Sequence, residues 1–206
     1  MKNPLSYQIT EYDCGPTTMM NAISYLFKRE DIPPDVVKYI MLYSLDVYNE
    51  KGEFGKMGTS GMAMLFLSNW LNQFGKVKSF PVHCEFLTGE SVYIGQTSKL
   101  VAGIQQGGVA VVRLMYGCWH YVLLTGADER YIYLFDPYYR RQPFRIPGVE
   151  LVHGHPARMN RKVAWDVLNS EGKGVYALGP IVTREATVIF NRDAQRTAAD
   201  TIEYFI

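Results

Sequence analysis

Nowhere in these 206 residues does an apolar run approach the length of a bilayer span; the most apolar helical stretch, Gly61 to Leu71, is interrupted by Ser68 and Asn69. No transmembrane anchor is expected. A surplus of charge is missing too: 21 basic and 20 acidic side chains leave a net charge of +1. That balance removes the electrostatic footprint that nucleic acid or an anionic membrane requires. Cysteine is scarce. Cys14, Cys84 and Cys118 form an odd set with no C-x-x-C pair, which argues against a disulfide framework or a structural zinc site and for free thiols in a reducing compartment. The opening residues, Met1 to Tyr7, lack the apolar core of a secretory signal. The chain therefore reads as cytoplasmic, with no membrane segment and no nucleic-acid partner.

What is present is a change of period along the chain. Met19, Met20, Ile23, Leu26 and Phe27 recur at helical spacing and predict a helix from about Gly15 to Lys28, with Pro16 in its first turn. Asp31-Ile32-Pro33-Pro34-Asp35 announces a second helix ending near Asn49. Gly52, Gly55, Gly58 and Gly61 punctuate a loop, after which Thr59 or Ser60 caps a third helix running to about Phe74. Lys76 to Leu87 is strand-like, Ser98 to Gln106 is a short helix, and Gly107-Gly108 closes it. Val109 to Tyr116, Trp119 to Gly126 and Tyr131 to Asp136 are rich in β-branched and aromatic residues between short turns, the pattern of an antiparallel meander. Pro137 to Arg158 reads as loop, Asn160 to Leu168 as a helix, and Val175 to Asn191 as one strand or two. With no repeat and no linker, the reading is one α+β domain over 1–206, a helical lobe over about 1–75 packed on a sheet lobe over about 76–206.

Chemistry concentrates at Gln8-Ile9-Thr10-Glu11-Tyr12-Asp13-Cys14-Gly15-Pro16. A thiol at a helix N-terminus faces unpaired N–H groups and the positive end of the helix dipole, which favour the attacking thiolate. Such a nucleophile needs a base and a group to hold that base. A hairpin centred on residue 128 sets His120 opposite Asp136, close enough for the carboxylate to orient the imidazole. A slip of one residue would send one of them to the other face. Cys14 as nucleophile, His120 as general base and acid, Asp136 as orienting group, and Gln8 with the Cys14 N–H as an oxyanion hole together form an acyl-transfer machine.

Gln8-x5-Cys14-Gly15-Pro16, Trp119-His120-Tyr121-Val122 and Phe135-Asp136-Pro137 resemble the papain-like cysteine peptidases, in particular the bacteriocin-processing branch that cleaves after double-glycine leaders. The likeness covers the first thirty residues and about 107 to 138, in the family's order Gln, Cys, His, Asp. It implies a papain-like fold, peptide-bond hydrolysis, no cofactor, a peptide or protein substrate, and the same four roles for the same four residues. The ABC-transporter domains to which the leader-cleaving enzymes are usually fused have no counterpart here, and the segment after Asp136 does not align.

Blander readings stand beside these. Cys14 is otherwise a small buried hydrophobe, His120 a satisfied strand histidine, and Asp136-Pro137 a strand terminator. Cys118 shares a strand face with His120 and either packs or lines the same cleft. His83 and Cys84 are strand neighbours pointing to opposite faces. His153 and His155 lack further ligands at metal spacing, and Gly55-Lys56 lacks the Ser or Thr of a P-loop. Two rivals to peptidase activity follow from the same residues: an acyltransferase of transglutaminase type that uses the same thiol, and a papain-like domain that binds peptides without cutting them.

Overall fold

The computed structural model describes residues 4–195. The reading of Met1 to Asn3 as free of a signal core lies outside that range, as do the residues from 196 onward. Five α-helices and seven strands are found among the described residues, in the order α1 (Cys14–Leu26), α2 (Pro34–Ser44), α3 (Gly61–Lys78), β1 (Val82–Thr88), α4 (Lys99–Gln105), β2 (Val109–Met115), β3 (Trp119–Ala127), β4 (Tyr131–Phe135), β5 (Val149–Leu151), β6 (Arg161–Ala164), α5 (Trp165–Asn169) and β7 (Glu185–Asn191). The strands form one antiparallel sheet, ordered β1-β7-β2-β3-β4-β6-β5. No helix among the described residues is long and apolar enough to cross a membrane.

Alternation along the strands gives the sheet two apolar faces. Val109, Val111, Tyr121, Leu123, Phe135 and Ile189 point to one side, where α1, α2 and α3 bring Met19, Ile23, Ile40, Leu67 and Leu71. Ala110, Val112, Val122, Leu124, Leu134 and Val188 point to the other, against Leu100 and Val101 of α4 and against Leu168 and Tyr176. The helical lobe is thus one covering layer, and the later chain supplies a thinner second one.

Side-chain capping starts two of the five helices. The Ser60 hydroxyl accepts from Ala63 N–H to start α3, and Ser98 does the same for α4 through Val101 N–H. Lys76 and Lys78 suit the negative end of α3 and extend it beyond Phe74, so β1 begins only at Val82. The second helix stops at Ser44, short of Asn49, because the Asp46 carboxylate is drawn to Ser60 N–H (2.8 Å) and its hydroxyl (2.5 Å). The chain after α2 is thereby tied to the entry of α3.

The largest departure from the expected elements is at 160–168. Arg161–Ala164 is strand β6, paired with β4, and only Trp165–Asn169 is helical. Arg161 and Val163 are buried while Lys162 and Ala164 are only partly so, a period of two that the helical reading missed. The presumed loop likewise contains β5, which pairs with β6. Of Val175 to Asn191, only Glu185–Asn191 forms a strand, and it enters between β1 and β2.

Candidate active site

Cys14 is the first residue of α1. Its helix packs against β3, and the buried Thr18 hydroxyl donates to Tyr121 O at 3.0 Å, which fixes the height of the helix start over that strand. Gly15 is needed beside the cysteine because a Cβ there would collide with the Thr59 side chain. The Asp13 carboxylate does not cap the helix. It turns back to accept from Ile9 N–H (3.1 Å), Thr10 N–H (2.9 Å) and the Thr10 hydroxyl (2.9 Å). The first-turn N–H groups are therefore left without a side-chain cap, and an anion can use them.

The segment before α1 is anchored at three points. Leu5 N–H donates to Pro156 O (2.8 Å), Ser6 exchanges two hydrogen bonds with the Asn21 side chain, and Gln8 N–H donates to Pro137 O (2.9 Å). The last of these lays Gln8 beside the residue that follows Asp136. Its side-chain Nε2 donates to Thr10 O at 2.8 Å, and its Oε1 is buried without a partner.

His120 and Asp136 meet, His120 Nε2 lying 2.7 Å from Asp136 Oδ1, but not by the register expected. The turn tip falls at Glu129 and Arg130, with Asp128 N–H bonded to Tyr131 O and Ala127 facing Ile132. Carried straight on, that odd register would put Asp136 opposite Leu123 and turn it away from His120. A bulge between Leu124 and Gly126 takes up one residue, so Leu123 faces Phe135 and the next position sets Val122 opposite Asp136. Val122 shares a face with His120, and the pair meets on the diagonal, within reach of an imidazole.

Asp136 is fully buried, and four groups hold it. Tyr138 N–H donates to Oδ1 (2.7 Å), Tyr176 OH donates to Oδ2 (2.6 Å), and the Asn160 side chain brackets its backbone, accepting from Asp136 N–H and donating to Asp136 O, each at 2.8 Å. Buried Arg161 completes the cradle through Nε to Tyr176 OH (3.0 Å) and a second nitrogen to Tyr138 O (3.0 Å). Tyr176 reaches this position with a left-handed backbone, φ 66°. Asn160, Arg161 and Tyr176 carried no signal in the sequence. Only the two-residue alternation of β6 could have pointed to Arg161.

Burial alone would push the Asp136 carboxyl up, yet hydrogen bonding to His120 and the His120 charge, with help from Tyr176 and Arg161, hold it below the ordinary 3.8. Burial alone would likewise push His120 down. Hydrogen bonds to Asp136 and to Cys14, and the charges of both, overcome it and raise the imidazole to about 10. Since Nε2 faces Asp136, Nδ1 is the nitrogen left for the Cys14 sulfur. The linkage to stability has two signs. The raised His120 contributes fully below 6.5 and is lost as pH climbs through about 10, whereas Asp136 contributes above 3.8 and is lost as pH falls through its lower folded value. The stability difference between the parent chain and His120→Gln, from urea titrations across pH, should be largest between 3.8 and 6.5 and shrink towards pH 10. A difference that stays flat from 6.5 upward would show that the ring is not held as a cation.

Beside Cys14 opens a cleft of about 530 Å³, walled by Tyr12, Thr59, Arg113, Cys118, Trp119 and Tyr121 among others. The glycine-punctuated loop borders it through Met57 to Gly61. On its floor, Arg113 stacks on Trp119 and donates to Thr183 O (2.7 Å), while Glu185 joins Arg113 (3.4 Å) and accepts from Tyr121 OH. Thr59 Oγ1 and Arg113 Nε are buried without partners. Exposed Cys118 lines this cleft, whereas Cys84 is buried in the α3 side of the sheet, its thiol pushed up to about 12 by burial. Among the described residues no three or more His, Cys, Asp or Glu side chains gather as a metal-binding group. Comparison with protein-family models and with curated proteins yields no match.

Proposed function

We propose that the protein is a cysteine-type hydrolase of papain-like architecture that cuts a peptide or isopeptide bond. The observation that carries this reading is the continuous chain of groups from a thiol at an uncapped helix start, through an imidazole raised to about 10, to a buried carboxylate 2.7 Å from the ring. A histidine kept merely for packing has no use for a carboxylate on one nitrogen and a thiol on the other.

In this reading Cys14 Sγ attacks the scissile carbonyl carbon, and the oxyanion is received by the Cys14 N–H and the remaining N–H of Gln8 Nε2. The C–N bond breaks as imidazolium His120 gives its proton to the leaving amine, leaving a thioester on Cys14. Water then adds to the thioester as His120 removes its proton, and the acid departs with the thiolate restored. Asp136 keeps the ring in the orientation both steps use.

Incubation with a degenerate peptide library, read by mass spectrometry of new termini, tests this function directly. The parent should cut, and Gln8→Ala should cut about 10² to 10³ more slowly, the loss of one oxyanion donor. Its fold should persist, since the Gln8 anchor to Pro137 is made by the main chain. A parent that leaves the library intact would refute the hydrolase, and an unimpaired Gln8→Ala would remove Gln8 from the oxyanion hole.

A further inference from the structure

A second groove, about 630 Å³, lies on the far side of the turn between β2 and β3 from the Cys14 cleft. Tyr116, Gly117, Arg140, Phe144, Arg145 and Val175 line it. Resting on the hydrolase reading above, we propose that this groove binds the amine-side half of the substrate and selects acidic residues just beyond the scissile bond.

Position gives the first argument. The acyl half of a substrate must lie against the nucleophile, and the leaving half against the group that protonates it. The first cleft contains Cys14. The second groove begins at Tyr116, whose ring centre is 5.5 Å from that of His120 and which also packs on Tyr138 and Tyr176. A peptide crossing the turn from one cleft to the other meets the sulfur on the first side and the imidazole on the second.

Charge gives the second. The molecule as a whole is nearly neutral, yet the stretch from Pro137 to Gly148 holds Arg140, Arg141 and Arg145 and no Asp or Glu. Two of these arginines line the groove, which has no acidic wall. Arg140 is held in place by stacking on Phe144 (4.4 Å) and by its Nε donating to Gln142 O (2.8 Å). Neither Arg140 nor Arg145 forms an ion pair among the described residues. The Cys14 cleft differs, since its Arg113 is already paired with Glu185 and Glu11 adds a carboxylate to its wall. An anionic segment is therefore drawn to the leaving side and not to the acyl side.

The same peptide library, digested by the full chain at low salt, reads this out as the residues found after each cut. Asp and Glu should be enriched over Lys and Arg by roughly fivefold within the first few positions, and the enrichment should fade at high salt. Arg145 is exposed and makes no hydrogen bond among the described residues, so Arg145→Glu should fold and should invert the preference by about tenfold. Cutting without charge preference on the amine side, or a preference that Arg145→Glu leaves unchanged, would overturn the groove assignment and leave the hydrolase intact. A library that the parent does not cut would overturn both.

Discussion

Alanine in place of Cys14 is expected to lower peptide cleavage about a millionfold, the scale of losing the nucleophile from a unit that works together. The protein should still fold. Only one sulfur leaves the cluster around Met19, Ile23 and Tyr121, a cost of about 1 kcal/mol. Iodoacetamide gives the matching measurement in the parent chain. Exposure alone would favour Cys118, which is open to solvent, over Cys14, which is 7% exposed. Activation by the imidazole and the helix start predicts the reverse: Cys14 labels first near neutral pH, and Cys84, with its thiol raised to about 12, stays unlabelled. Labelling of Cys118 ahead of Cys14, or residual cleavage within a few hundredfold in Cys14→Ala, would end the case for a thiol nucleophile.

The next largest effect belongs to Asp136→Asn, for which a drop of about 10⁴ in kcat is expected. The carboxylate accepts at both oxygens, from His120 and Tyr138 N–H at one and from Tyr176 OH at the other. An amide has a single oxygen. If that oxygen serves Tyr176, the NH2 group donates to His120 Nε2 and drives the ring proton to the nitrogen that should take one from Cys14. If it serves His120, the NH2 group meets the hydroxyl hydrogen of Tyr176, which already accepts from Arg161. Either arrangement disables the base or loosens its support. Cleavage assays alongside near-ultraviolet circular dichroism separate the two, and a folded Asp136→Asn that works within tenfold of the parent would show that Asp136 does not orient the ring.

The parts of this site visible in the sequence are those with local causes. Cys14 could be placed because helical spacing starts directly behind it, and Ser60 and Ser98 because caps sit at fixed offsets from what they cap. His120 and Asp136 could be matched because alternation reveals strand faces, although the tip at Glu129–Arg130 and the extra residue at Thr125 left no readable mark. The cradle under Asp136 was hidden for another reason. Asn160 acts across 24 residues and Tyr176 across 40, on groups that no short window contains together. Likewise nothing near Glu185 announces that β7 enters between β1 and β2, bringing its carboxylate to Arg113 and Tyr121.

The bulge at Thr125 makes catalytic competence a question of parity. Counting from the tip of the β3–β4 hairpin, the acid and the base fall on opposite sides of the sheet, and one unpaired residue restores them to the same side. Lengthening or trimming that arm by a single residue would leave a well-hydrogen-bonded hairpin whose carboxylate points into the α1 layer, a folded molecule with its proton relay severed. Changes by two preserve the pairing of sides but slide the carboxylate about 7 Å along β3, so matching parity is necessary for the relay and the present register alone brings the two groups into touch.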